Sequence, residues 1–86
     1  MNEIILSAAF ERQLKKVCRQ NFQLKIKINK IFNLLLVDIN HPSLKLHKLS
    51  GENNWSVLVT SDIRIVLHWV KDRIFLLRIG SHDEVY

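Results

Sequence analysis

The sequence predicts a small α+β domain in which an antiparallel sheet packs against two N-terminal helices, in the order β-α-α-β-β-β. Residues 62–70 and 74–80 are two runs rich in β-branched and aromatic residues, and three polar residues separate them. This pattern is typical of a hairpin at the middle of a sheet. Between residues 7 and 39, apolar side chains recur instead at the three- and four-residue spacing of helices. The chain has 86 residues with two Gly and one Pro, so we expect residues 1–86 to form one domain with short loops.

The residue pattern of the N-terminal half predicts one strand followed by two helices. The apolar run of residues 2–6 can supply a first strand, and Ser7 is a suitable N-cap for a helix that ends near Asn21. A second helix is predicted from about Gln23 to Ile39, and it must end before Pro42 because a residue preceding proline is disfavoured in the α region. The apolar faces of the two helices consist of Phe10, Leu14, Val17 and Cys18, and of Leu24, Ile28, Ile31, Phe32, Leu35 and Ile39.

The C-terminal half is predicted to be extended. Residues 44–49 alternate between apolar and polar, which predicts a short extended segment with Lys45 and His47 on the same side. Residues 50–54 form a predicted loop and residues 55–60 a predicted strand. Together with the hairpin, this strand completes an antiparallel meander.

Two arginines interrupt the apolar pattern of the hairpin, and their relative placement depends on the turn. Arg64 lies on the strand face opposite Ile63, and Arg78 lies within an otherwise apolar strand. A loop with an odd number of residues puts Arg64 and Arg78 on one face, whereas a two-residue turn separates them. The sequence leaves both arrangements open.

The charge of the chain is unevenly distributed. The formal net charge is +5, and the stretch from Arg12 to Lys30 holds seven basic residues and no acidic one. Such a block suits a polyanion or an acidic protein partner. It is equally consistent with the solvated face of two amphipathic helices.

Other classes of protein and site are disfavoured. Cys18 is the single cysteine, so it cannot form an internal disulfide, and its spacing predicts a small core residue. No apolar stretch approaches the ~18 residues that span a bilayer, and the N-terminus lacks the apolar region of a signal peptide, so we expect a cytoplasmic protein without a membrane partner. The four histidines are scattered. We therefore expect no metal site, and no cofactor.

Titratable side chains are concentrated at the C-terminus. The last predicted strand ends at Gly80, and His82, Asp83, Glu84 and Tyr86 follow it. Polar groups just past a strand end are well placed for chemistry because the strand positions them while solvent still reaches them. An ordinary polar tail would have the same composition.

The order of elements and two segments resemble the RelE/ParE toxin superfamily, and the YafQ-like members most closely. The two segments are Leu-His-Lys-Leu-Ser-Gly at residues 46–51 and Gly-Ser-His-Asp-Glu-Val-Tyr at residues 80–86, and the resemblance extends over essentially the whole chain. Members of this superfamily are toxins of type II toxin–antitoxin pairs. The RelE and YafQ branches cut mRNA on the ribosome, whereas the ParE branch poisons DNA gyrase. The resemblance thus implies an antitoxin partner, together with the ribosome and mRNA.

The resemblance also implies a catalytic set consisting of His47, Asp62, Arg64, His82 and Tyr86. His47 and His82 correspond to an acid–base pair whose order is left open, a role that suits imidazole because its ordinary pKa is about 6.5. Arg64 corresponds to the clamp on the phosphate. Asp62 would orient a histidine or act as an alternative base. Tyr86 would stack on a base or assist proton transfer.

Flanking positions are expected to bind RNA or to have plain structural roles. Lys45, Lys48 and Arg78 are the predicted contacts to RNA phosphates. Without the resemblance, Arg64 reads as an arginine paired with Asp62 within the sheet. His68 is interpreted as a packed sheet residue, and His41 as a turn residue.

Two departures from the family keep a second function open. Ser56 and Leu58 occupy positions that are basic in RelE. They favour a ParE-like toxin directed at gyrase, or a catalytically idle member that only binds its antitoxin. A general RNA-binding domain agrees with the charge, but the predicted sheet lacks exposed aromatic residues for base stacking.

Overall fold

A computed structural model describes residues 1–85 of the chain. Its elements include eight helices and strands and one turn of 3-10 helix at Pro42–Leu44. The helices and strands are, in order, β1 (Glu3–Leu6), α1 (Ala8–Cys18), α2 (Phe22–Val37), β2 (His47–Lys48), β3 (Asn54–Leu58), β4 (Ile63–Val70), β5 (Arg73–Ser81) and α3 (His82–Val85).

The strands form one sheet of five in the order β1-β5-β4-β3-β2, which confirms the α+β class and the central place of β4. The sheet is antiparallel except at β1, which pairs with β5 in parallel from Glu3 opposite Arg73 to Leu6 opposite Leu76. Parallel neighbours need a long connection, and here both helices and three strands lie between the two partners. The short β2 adds a fifth strand at the other edge.

Ser7 connects the start of α1 to the last strand. Its Oγ accepts a hydrogen bond from Phe10 N at 2.9 Å, which caps the helix as predicted, and donates one to Leu77 O at 2.9 Å. Phe10 is fully buried, and its ring lies 6.3 Å from that of Phe32 in α2. The helix ends at Cys18, before the predicted Asn21, and Gln20 beyond it has a left-handed φ of 56°.

The stretch after α2 departs from the predicted extended segment. His41 caps the 3-10 turn by accepting a hydrogen bond from Ser43 N at its Nδ1, which confirms it as a turn residue. Lys45 ends that turn with a left-handed φ of 51°. The alternation of residues 44–49 is therefore realised as a strand only at His47–Lys48. Pro42 favours the first turn of a helix, and this preference prevails over the alternating pattern that begins at Leu44.

A β-bulge decides on which face Arg78 lies. Only Lys71 and Asp72 lie between Val70 and its partner Arg73, so the turn has two residues, the arrangement expected to separate the two arginines. However, Leu67 pairs with Leu76 while Val66 pairs with Arg78, so Leu77 is an extra residue in β5. The bulge reverses the alternation of β5 and returns Arg78 to the face that holds Arg64.

The two faces of the sheet differ in burial. One face packs against α1 and α2, and its fully buried side chains include Val57, Ile65, Leu67, Ile74 and Leu76. The opposite face, called the open face below, carries His47, Ser56, Leu58, Arg64, Val66, His68 and Arg78. Most of these side chains are exposed or half-buried. Within residues 1–85, no helix is long and apolar enough to cross a membrane.

Replacing Ser7 by alanine tests the double role of this hydroxyl. We expect Ser7→Ala to lose about 2 kcal/mol of unfolding free energy in urea, because the helix loses its cap and Leu77 O loses a donor. Ser7→Asp keeps an acceptor for Phe10 N but cannot donate to Leu77 O, so its loss is intermediate. Ser43→Ala, which removes an exposed hydroxyl, is the control. Equal stability of Ser7→Ala and Ser43→Ala would contradict this role.

Candidate active site on the open face of the sheet

Four strands contribute one row of residues to the open face. His47 in β2 lies opposite Ser56 in β3, which lies opposite Val66 in β4, which lies opposite Arg78 in β5. Adjacent strands are about 4.8 Å apart, so the Cα atoms of His47 and Arg78 are separated by roughly 14 Å. Both side chains are exposed. The row therefore has an imidazole at one end and a guanidinium at the other.

Arg64 lies in the next row, between Leu58 and Gly80. It is half-buried, and its Nε is buried without a hydrogen-bond partner in the described structure. From strand spacing and rise, the Cα atoms of Arg64 and Arg78 are about 8 Å apart, so both guanidinium groups can reach one phosphate. The structure thus brings these two predicted residues together.

His82 begins α3 immediately after β5, at the end of the sheet where Arg64 and Gly80 lie. The α3 helix packs against β4 and β5, and Val85 within it is buried. The predicted polar tail is therefore a helical turn with an apolar anchor. The His82 side chain is 60% exposed, and its Nδ1 lies 3.7 Å from Asp83 Oδ1. This histidine is fixed to the sheet through its helix while its ring remains accessible to a substrate.

Asp62 lies in the exposed turn before β4. The Oγ1 of Thr60 accepts hydrogen bonds from the backbone N–H groups of Asp62 and Ile63, at 3.2 and 3.0 Å, and this fixes the turn. No ion pair joins Asp62 to Arg64 in the described part of the chain, so the plain interpretation of Arg64 as its partner is wrong. The carboxylate is accessible beside the strand that carries Arg64.

The two lysines predicted to bind RNA do not join this constellation. Lys48 follows His47 in β2 and so points to the other face, where its Nζ lies 4.8 Å from the centre of the Trp55 ring. Lys45 is exposed at the end of the 3-10 turn, outside the strand. Tyr86 lies outside the described residues, so its predicted role remains a prediction.

The remaining titratable side chains have structural surroundings. His68 Nδ1 lies 2.9 Å from Asn54 Oδ1, and its ring lies 6.1 Å from that of Phe75, which confirms it as a packed sheet residue. Cys18 is buried in the core as predicted, and this burial raises the pKa of its thiol. The side chains that the structure describes include no group of three or more His, Cys, Asp or Glu that could hold a metal ion.

The sequence did not indicate a cleft that adjoins Arg78. The cleft has a volume of about 700 Å³, and its lining includes Leu49, Ser50, Asn54, Val66, Leu77 and Arg78. Asn54 was placed in a loop by the sequence, but it begins β3. The bulge that turns Arg78 to the side of Leu77 has no local sequence signature. The one available sign was an arginine inside an apolar strand.

Similarity to known proteins is found for this chain in its structure but not in its sequence. No family model matches the sequence, and no curated protein matches it. Among solved structures, a metal-bound toxin from Helicobacter pylori has 27% sequence identity and a TM-score of 0.80, with 100% of each chain covered. YafQ in the DinJ–YafQ complex of Escherichia coli has 18% identity and a TM-score of 0.83, with 100% of this chain and 99% of that chain covered.

A YoeB/ParE toxin from Agrobacterium tumefaciens is also similar, at 17% identity and a TM-score of 0.79, with 95% of this chain and 99% of that chain covered. All three are toxins, and each is covered over nearly its full length. The chain therefore has the fold of the RelE/ParE-type toxins, which confirms the resemblance seen in its sequence.

Gly51 holds the loop that forms one wall of the cleft. It has a φ of 94°, and a Cβ placed there would lie 2.8 Å from Asn54 Nδ2. We expect Gly51→Ala to destabilise the protein by about 1–3 kcal/mol in urea unfolding, from backbone strain and from this clash. Ser50→Ala is the neighbouring control and should change stability little. A Gly51→Ala protein as stable as the wild type would contradict this loop geometry.

Proposed function

We propose that this protein is the toxin of a type II toxin–antitoxin pair and cleaves mRNA on the ribosome without a metal ion. The observation that carries the proposal is the arrangement of charge on the open face. Arg64 and Arg78 lie about 8 Å apart by strand geometry, with His47 on one side of them and His82 at the end of β5. Such an arrangement suits a phosphodiester that two cations bind between two imidazoles.

The proposed reaction uses the 2′-hydroxyl of the RNA as nucleophile. One histidine takes the proton of that hydroxyl, and the 2′-oxygen attacks the adjacent phosphorus. The bond from phosphorus to the 5′-oxygen breaks, and the second histidine gives that oxygen its proton. The products are a 2′,3′-cyclic phosphate and a 5′-hydroxyl. An acid and a base on opposite sides of the phosphate fit this in-line geometry.

The arginines would stabilise the transition state through charge. Negative charge accumulates on the phosphorane oxygens, and a guanidinium neutralises it without losing its own proton. The Nε of Arg64 is buried and unpartnered in the described structure, so it is desolvated before substrate arrives. A guanidinium that is already partly desolvated gains more from an incoming phosphate oxygen than a fully solvated guanidinium does.

Other groups would support this centre. Asp62 is accessible next to β4 and would orient a histidine or serve as an alternative base. Tyr86 would stack on a base or assist proton transfer. Exposed basic residues on α1 and α2 would contact ribosomal RNA, and these include Arg12, Lys15, Lys25, Lys27 and Lys30.

The proposed protein partner is an antitoxin encoded with the toxin. The similar YafQ structure is a complex with DinJ, which supports a partner of this kind. Such a partner would cover the open face and so keep RNA out. The proposed location is the cytoplasm, where translated mRNA is available.

A gyrase-directed or catalytically idle toxin is the second candidate. Ser56 is 2% exposed and Leu58 is half-buried, and both lie on the open face between the two histidines. Neither side chain can supply positive charge to a phosphate. This uncharged middle of the face favours a protein-binding role over cleavage.

Cleavage of translated mRNA by purified protein tests the proposal. We expect ribosome-dependent cuts from the wild type, no cuts in free RNA, and a loss of about 10²–10⁴-fold in His82→Ala because one proton transfer is no longer assisted. His41→Asn is the matched control, since asparagine can still cap the 3-10 turn. If the wild type leaves translated mRNA intact, the nuclease proposal is wrong, and inhibition of gyrase becomes the relevant assay.

The two arginines give a separate prediction. We expect Arg64→Gln and Arg78→Gln each to lower the cleavage rate by about 10²–10³-fold, because each removes a charge from the transition state. Arg73→Gln is the control, because Arg73 lies at the opposite end of β5 and only pairs with Glu3 at 3.6 Å. Equal rates for all three variants in the single-turnover assay would show that the open face does not bind the reacting phosphate.

A further inference from the structure

We infer that the cleft beside Arg78 is a binding subsite for one nucleobase of the RNA, and that it prefers a base with a carbonyl oxygen over adenine. This inference rests on the proposed function, because it takes Arg78 as the contact to the RNA phosphate. The cleft volume of about 700 Å³ is within the range of pockets that take small ligands. Ser7 and Ala9, at the start of α1, close its far side.

The bulge brings a cation beside an apolar wall of the cleft. In a regular strand, Leu77 and Arg78 would point to opposite faces, but both line the cleft here. Leu77 provides apolar surface for the flat face of a base, together with Leu49 and Val66. Arg78 stands at the same place with its guanidinium exposed. The extra residue in β5 therefore places a cation for the phosphate beside an apolar surface for the base.

Asn54 supplies the directional hydrogen bond. Its Oδ1 accepts a hydrogen bond from His68 Nδ1 at 2.9 Å, which fixes the orientation of the amide. Its Nδ2 has no hydrogen-bond partner among the described residues. Asn54 lines the cleft, and Nδ2 is the polar side-chain atom that the contact with His68 leaves available to a ligand.

This donor discriminates between bases. Guanine, uracil and cytosine each have a carbonyl oxygen that can accept from Asn54 Nδ2, whereas adenine can accept only at a ring nitrogen. An asparagine that recognises adenine needs both its amide oxygen and its nitrogen, and here His68 occupies the oxygen. Adenine would also bring its amino group toward another donor.

Charge argues for a nucleotide and against an acidic side chain of a protein as the occupant. Among the described residues, those that line the cleft include one cation, Arg78, and no carboxylate. An acidic peptide would use the arginine and the amide donor but would leave the flat apolar walls without a function. A base with its phosphate on Arg78 uses all three.

Titration of the isotopically labelled wild-type protein with single nucleotides tests the subsite. The ligands are guanosine, uridine, cytidine and adenosine monophosphate, with inorganic phosphate alone as the reference for charge. We expect amide resonances of Ser50, Asn54 and Leu77 to shift with nucleotide, and guanosine monophosphate to bind at least about threefold more tightly than adenosine monophosphate, as one added hydrogen bond allows. Equal affinity for the four nucleotides, or the same shifts with phosphate alone, would overturn the inference.

Two variants sharpen the assignment to Asn54. Asn54→Asp still accepts from His68 but cannot donate, so the preference for guanosine over adenosine monophosphate should disappear. Asn40→Asp makes the same change in the exposed turn after α2 and should leave the preference intact. If Asn54→Asp keeps the preference, another group reads the base. If this variant does not fold, the comparison of the four nucleotides on wild-type protein still decides.

Failure of the subsite and failure of the nuclease proposal give different results. A protein that binds nucleotides in the cleft but leaves translated mRNA uncut refutes the nuclease and keeps the subsite. A protein that cuts mRNA but binds all four nucleotides equally refutes the subsite alone.

Discussion

The open face depends on one extra residue in β5. The turn between β4 and β5 has two residues, and a regular hairpin with that turn would put Arg78 on the face of the sheet that the helices cover. A guanidinium buried there without a partner would be strongly destabilising. The bulge at Leu77 removes this conflict and places two cations side by side in the open. The candidate site and the cleft beside it both follow from this change of register.

The bulge is held by groups from α1. β1 pairs with β5 only as far as Leu76, so the outer edge of β5 beyond that point has no neighbouring strand. Ser7 Oγ donates to Leu77 O, and Gln13 Oε1 accepts from Ile79 N at 3.0 Å. These two side chains therefore form hydrogen bonds with backbone groups of β5 that lie beyond the end of its pairing with β1. The first helix thus supports the site although it contributes no catalytic side chain.

Strong local patterns made most of the fold predictable. The rest depends on pairing between distant residues, which the sequence does not reveal. The periodicity of the two helices, the cap at Ser7 and the central place of β4 were all evident in the sequence. The parallel pairing of β1 with β5 was not evident, because it joins residues at the two ends of the chain.

The candidate site was likewise predictable only in part. His47, Arg64 and Arg78 were named from residue type and resemblance, but whether Arg78 shares a face with the other two depends on the bulge. Lys48 lies on the other face because a single step along a strand reverses the side chain, so its predicted contact with RNA stays a prediction.

Cross-strand contacts in the labelled protein test this account most directly, through nuclear Overhauser effects between β4 and β5. The account predicts contacts between Leu67 and Leu76 and, across the bulge, between Val66 and Arg78 and between Arg64 and Gly80. An uninterrupted hairpin predicts contacts between Val66 and Leu77 and between Arg64 and Ile79 instead. Observation of the second set would put Arg64 and Arg78 on opposite faces and would contradict both the candidate site and the nucleobase cleft.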